Sequence, residues 1–402
     1  MKRIFPFVPF VLLAFVVAAC QEDSPTVPTV GDPQFAKPDC EIDSSHPACK
    51  DDGDAGGDED YIATDLETRG ERVNTSWAFD VSDDLGDGTV AVSGGGKENP
   101  GKFLEAMTWT VTGTDVVDGP VILPLDAPDV QDVFAFGISD DGKYIVGRAR
   151  GDTDSELGFD LVLPVRWDGG PGELLDPVHP YLQAVALDVN NYGETVGWSR
   201  AAEGEPRVAT LWDTFGTPTE LDSPLGGESA AMDINNDGHV VGASWDPVEG
   251  LWHAILWPSD GDPCDLDQGV GSVTQAITDV YDDGTVLVAG DAGSPEAYQP
   301  AVWQVQVTDN SCSVVQYWTI GGGDLYAKDV RRVGGGWEAV GNDASSDKSR
   351  PMVWRFDGTE TTETQLAKDG RAHRINSDGR IAGEAKVRRL DHAMLWTPNP
   401  NQ

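Results

Sequence analysis

One pattern recurs seven times along this chain and leaves few folds open. The copies are AFDVSDDLGDGTVAVSG (78–94), AFGISDDGKYIVG (135–147), ALDVNNYGETVG (186–197), AMDINNDGHVVG (231–242), ITDVYDDGTVLVAG (277–290), AKDVRRVGGGWEAVG (327–341) and AHRINSDGRIAG (372–383). Each has an apolar alternation, a polar turn of Asn, Asp and Gly, a second alternation and a closing glycine. Period-two patterning around residues that tolerate positive φ is a β-hairpin written in sequence. The closing glycines are Gly94, Gly147, Gly197, Gly242, Gly290, Gly341 and Gly383.

A third element follows every hairpin: a small residue or proline, two mostly apolar residues, then tryptophan. The instances end at Trp109, Trp167, Trp212, Trp257, Trp303, Trp354 and Trp396. A fourth short stretch often follows, as in 172–176 and 218–222. Four short strands per unit, seven units and a Trp-to-Trp spacing of 42 to 58 residues predict an all-β, seven-bladed β-propeller of four-stranded antiparallel blades. The alternatives are an open solenoid or a pair of β-sandwiches. Helical repeats would need a 3.6-residue apolar stripe, which is missing. The tryptophans recur at one place per unit, as core packing between neighbouring sheets requires.

The ends of the repeat predict how the ring closes. The last copy stops soon after Trp396, with only 397–402 remaining, so it lacks a fourth strand. Tyr61-Ile62-Ala63-Thr64-Asp65-Leu66 precedes the first hairpin as other fourth strands precede theirs. Residues 60–66 are therefore expected to pair with the last blade, so the propeller spans 60–402. Closure removes open sheet edges.

Ahead of the repeat lies a different composition. Lys2 and Arg3 precede the uncharged stretch 4–19, and Val17-Ala18-Ala19-Cys20 closes it. This layout is a signal peptide over 1–19, too short for a spanning helix. Cysteine after a small-residue run resembles a bacterial lipobox, which implies lipidation at Cys20, a membrane anchor through the lipid, and an extracytoplasmic place in the cell envelope, at the outer membrane or cell surface. Residues 20–59 are acidic and proline-rich with no apolar periodicity, and read as a disordered tether reaching roughly 35 Å.

The chain has 402 residues, 69 acidic against 27 basic, and a net charge of −42. With no positive surplus to neutralise phosphates, nucleic acid is excluded as a partner. Such charge favours solubility, and a monomer is expected. In an oxidising compartment Cys40 and Cys49 are expected to form a small disulfide loop. Cys264 and Cys312 lie about one repeat apart, and the sequence leaves their pairing open.

The copy AMDINNDGHVVG followed by HAILW, and AHRINSDGRIAG followed by HAMLW, resemble the HAF-type extracellular repeat. The resemblance covers about 78–396. The first and sixth copies depart from it, with Gly86-Asp87 inserted in one and Arg331-Arg332-Val333-Gly334 in the turn of the other. It implies a secreted propeller-like protein and brings no established activity.

Two sets of side chains are candidates for chemistry. Asp233, Asn235 and Asp237 match the opening of an oxygen-rich calcium loop, although Ser244 stands where that loop places its bidentate glutamate. Hairpin turns favour the same residue types. Calcium is the one cofactor the sequence suggests. The loops joining second to third strands carry Trp198, Trp245, Trp252, Arg350, Arg388 and Arg389. His253, Gln299, Arg350 and His392 each stand four residues before a motif tryptophan. Aromatic faces with scattered polar groups suit a glycan, peptide or protein ligand. There is no nucleophile elbow, no His-Glu-x-x-His and no phosphate loop. The expected function is a binding or scaffolding module. A glycosidase or lyase acting on extracellular polysaccharide, or a purely structural envelope protein, are the other readings, because abundant carboxylates leave a glycosidase-like pair open.

Overall fold

The computed structural model describes residues 60–66, 75–97, 103–127, 130–154, 159–178, 183–201, 204–293, 298–308, 311–321 and 324–401. Cys20, Cys40, Cys49 and the 1–19 leader lie outside them. Among the described residues every regular element is a strand, and no helix is long and apolar enough to cross a membrane.

Seven four-stranded antiparallel sheets form a closed ring, a seven-bladed β-propeller. The blades run over 75–122, 130–174, 183–220, 229–265, 272–319, 325–365 and 370–398, each laid out in sequence order from the axis outward. The last blade takes its outer strand from the segment that precedes the first blade. Tyr61–Asp65 pairs antiparallel with Leu390–Pro398, matching Tyr61 to Pro398 and Asp65 to Met394. Leu66 is fully buried beside the first blade, and its amide donates to the Ala393 carbonyl at 3.0 Å. The Tyr61 hydroxyl donates to Glu338 Oε1 of blade six at 3.4 Å.

The core lies between blades. Trp109, Trp167, Trp212, Trp257, Trp303, Trp354 and Trp396 are all buried. Each cluster joins two sheets: Val286, Val288 and Trp303 of blade five pack on Val241, Ala254 and Leu256 of blade four. Ala382, Ala393 and Leu395 of blade seven pack on Val90, Val92 and Trp109 of blade one. The indoles of Trp167, Trp212 and Trp257 also donate to Pro124, Asp176 and Asp222 carbonyls in the connections from the preceding blade, at 2.7–2.9 Å. Cys264 and Cys312 form a disulfide, with Cα atoms 6.0 Å apart, joining the outer strands of blades four and five.

The closing glycine has a steric cause. Each inner strand carries a β-bulge, after the motif alanine in six blades, as between Ala231 and Asp233, and after Thr274 in blade five. The bulge pushes the preceding carbonyl against the second strand. A Cβ on Gly242 would sit 2.0 Å from the Ala230 oxygen, and the other six closing glycines face the equivalent oxygen at 1.8–2.1 Å.

Candidate functional site

The bulge also turns the next residue toward the axis. That position holds Asp80, Gly137, Asp188, Asp233, Ala276, Asp329 and Arg374 in blades one to seven. The aspartates act between blades. Asp80 accepts from the Ile138 amide at 2.9 Å, Asp188 from Ile234 at 3.0 Å, Asp233 from Ile277 at 2.6 Å and Asp329 from Ile375 at 2.8 Å. The asparagine two residues on repeats the device with its amide nitrogen. Asn235 donates to the Thr278 carbonyl at 2.9 Å, Asn190 to Asn235 at 3.2 Å, and Asn376 to Ser82 at 2.8 Å across the ring closure. The Asn235 carbonyl oxygen meanwhile accepts from Asp237 and His239 amides and fixes its own turn.

Around the axis this leaves four buried carboxylates and one guanidinium. Arg374 donates to Asp233 Oδ1 at 3.0 Å. Burial opposes its charge, but Asp233, Asp188, Asp329 and Asp80 together hold its pKa well above the ordinary value. The carboxylates feel the converse. Burial pushes Asp329 up to about 7 and Asp80 up to about 6, with Arg374 pulling both down. Burial and the neighbouring Asp233 charge raise Asp188 well above the usual range.

Beyond this layer the hairpin turns form a rim. Asn236 donates to Asp140 Oδ2 at 2.7 Å and to Asp279 Oδ2 at 3.0 Å, bridging blades two, four and five. Asp83 Oδ1 accepts from the Ser377 amide at 2.9 Å. Asp140 keeps contact with solvent at the mouth, yet the surrounding ring and the charges of Asp83 and Asp279 push it up to about 7. The rim and axial layer enclose a cavity of about 220 Å³.

Of the residues singled out from sequence, Asp233 and Asn235 line this cavity, and the candidate ligand contacts fall elsewhere. The axial cavity opens at the end of the ring formed by first-to-second-strand turns, whereas the second-to-third-strand loops lie at the opposite end. There Trp198 is buried in blade three between the Arg200 and Arg207 guanidiniums, 5.1 and 5.5 Å from its ring. Trp245 and Trp252 pack against each other at 5.6 Å in blade four, and His253, next on the strand, faces the other side of the sheet. Gln299 opens the third strand of blade five. Arg350 is bound to Asp343 in blade six. Arg388 and Arg389 form the positive-φ turn of blade seven, and His392 Nδ1 lies 2.9 Å from Asp65 Oδ2. The structure thus pairs Trp245 with Trp252, puts Arg388, Arg389 and His392 together on blade seven, and spreads Trp198, Gln299 and Arg350 over blades three, five and six.

Asp233 Oδ2, the Asn235 side-chain oxygen and Asp237 Oδ2 accept from backbone amides of their own and the following blade, and Asp233 Oδ1 accepts from Arg374. The axial set of Asp80, Asp188, Asp329 and Arg374 was not among the sequence candidates. Its signal is the third position of the repeat, acidic in five copies and basic in the seventh, although in the fifth copy the structure puts Ala276 rather than Asp279 at the axial position.

No family model matches the sequence, and no curated protein does. Among solved structures, the chain is similar to the β-propeller domain of the Trilobed protease from Pyrococcus furiosus, which is described as having an open velcro topology. Identity is 12%, the TM-score is 0.45, and the match covers 81% of this chain and 94% of that one. A protein of unknown function from Dyadobacter fermentans matches at 12% identity and a TM-score of 0.43, covering 85% and 98%. A Hadza microbial sialidase matches at 9% identity and a TM-score of 0.42, covering 80% and 66%.

Proposed function

We propose that this chain is a lipid-anchored extracytoplasmic propeller that works as a binding or scaffolding module. Lipid at Cys20 holds it to the membrane, the 20–59 tether sets it at a distance, and the ring presents the ligand face. The observation that carries the reading is the division of labour at the axis. The inner carboxylates are held by inter-blade amides and by Arg374, which is assembly chemistry. The rim of Asp83, Asp140, Asn236 and Asp279 stays at the mouth of the cavity. A surplus of partly desolvated carboxylates there favours a ligand that brings positive charge, such as a lysine- or arginine-bearing peptide.

The competing reading is a polysaccharide hydrolase or lyase. Asp329, which burial pushes up to about 7, lies in the same axial layer as the Arg374-bound Asp233, and a pair of carboxyl groups is what glycoside hydrolysis uses. Against it stand the backbone amides that hold both side chains.

The test is a binding screen of the full-length protein against a glycan array and a set of basic, neutral and acidic peptides, with turnover of the same glycans followed in parallel. Selective binding of basic peptides, weakened at least tenfold in Asp140→Asn and Asp279→Asn, is expected. Glycan turnover lost in Asp329→Asn would replace this reading with the enzymatic one.

A further inference from the structure

We propose that blade four carries a divalent transition-metal site, of the zinc class, built from Asp246, Glu249 and His253 and oriented by Asp265. The site lies at the opposite end of the ring from the axial cavity, so it stands independently of the function proposed there.

The local sequence explains the cluster. The second strand of the blade, Val240–Asp246, turns into the third, Leu251–Trp257, through four residues. Asp246 Oδ1 accepts from the Val248 and Glu249 amides at 2.6 and 3.1 Å. Gly250 at φ 72° returns its amide to the Asp246 carbonyl at 2.8 Å. This turn sets Glu249 above His253. One donor atom each from Asp246, Glu249 and His253 lies within 4.8 Å of the others.

Acidic groups near a turn would mean little alone; the histidine adds the independent observation. His253 is only 6% exposed, and its Nε2 is buried without a hydrogen-bond partner. Glu249 Oε2 stands 3.5 Å from that nitrogen. On the other side of the ring, Nδ1 lies 2.8 Å from Asp265 Oδ2 on the outer strand. A carboxylate on Nδ1 fixes the tautomer that leaves Nε2 as a lone-pair donor, the usual orientation of a metal-binding histidine. One imidazole and two carboxylates supply three borderline-to-hard ligands, and Glu249, half exposed, leaves a position open to solvent. That open position would accept a ligand oxygen on the face of the blade opposite the Trp245–Trp252 pair.

Blade seven provides an internal comparison. His392 occupies the repeat position of His253 and is held by Asp65 as His253 is by Asp265. Its turn, however, carries Arg388 and Arg389. The histidine–aspartate pair is therefore shared by two blades, and blade four adds the acidic ligands.

The test uses the full-length protein, stripped with a chelator and titrated with Co²⁺ alone. The expected result is one tight site per chain with the visible absorption of low-coordinate nitrogen-and-oxygen ligation, displaced by Zn²⁺. Glu249→Gln, at a solvent-facing position, and His253→Gln each weaken it more than about 10-fold, and Asp265→Asn weakens it about 10–100-fold. His392→Gln leaves it unchanged. Thermal melts of each variant separate loss of ligand from loss of fold. Binding without those visible bands, unaltered by Glu249→Gln and His253→Gln in folded protein, would assign the cation to the general acidic surface and overturn the proposal. An absence of stoichiometric binding would do the same.

Discussion

Arg374 of the seventh blade reaches Asp233 of the fourth, 141 residues earlier, with 3.0 Å between Nη2 and Oδ1. This contact runs across the middle of the ring, and only a closed ring permits it. It places one cation among four carboxylates that tie blades one, three, four and six each to the next.

Removing that cation leaves the carboxylates uncompensated. Arg374→Met is expected to lower unfolding free energy by about 3–5 kcal/mol, the usual consequence of breaking a buried ion pair from one side. Chemical denaturation checks it. Asp329→Asn in the same background should recover part of the loss, because it removes one of the unpaired charges.

The raised carboxylates set the sign of the pH dependence. Asp80 and Asp329 hold protons in the folded ring up to about 6 and about 7, whereas the unfolded chain releases them near 3.8. Between these values the folded state binds more protons, so stability falls as pH rises. The melting temperature should be roughly 5 °C higher at pH 5 than at pH 8. Asp80→Asn/Asp329→Asn should flatten the slope over pH 4–7; an unchanged slope would place its origin in the general surface charge.

Gly242→Ala tests the bulge. The added methyl meets the Ala230 oxygen at 2.0 Å, and that oxygen belongs to backbone. Opening the strand pair to admit it should cost about 1–3 kcal/mol or more. Gly250→Ala is the contrasting control: no atom crowds its Cβ, so only the positive φ is strained.

The Cys264–Cys312 bridge closes a loop with a sequence separation of 48. Its removal in Cys264→Ser/Cys312→Ser should cost about 2–5 kcal/mol. Reduction of the wild-type protein should give the same loss in a thermal melt.

The propeller was legible because its determinants are local and repeated. The Asn/Asp/Gly turns, the closing glycines and the motif tryptophans each report on one blade, and the short last copy announced that residues 60–66 must complete it. The axial site was harder to see for a physical reason. Asp80, Asp188, Asp233 and Asp329 look like turn residues within their own copies. Their partners are amides of the following blade, and Arg374 meets Asp233 only through the ring. Pattern reading also pointed to the second-to-third-strand loops, since tryptophan and histidine accumulate there, while the cavity formed at the other end. His253 was visible as a polar residue before Trp257. Its grouping with Asp265 depends on strand register, which a spacing argument does not reach.

The central claim is that the two ends of the propeller region meet in one blade. Hydrogen–deuterium exchange at Tyr61–Asp65 tests it most directly. If this strand seals blade seven, the amides hydrogen-bonded to Leu390–Pro398 exchange slowly, in step with that strand's own. Exchange at the rate of an open chain, while the rest of blade seven stays protected, would contradict the closed ring.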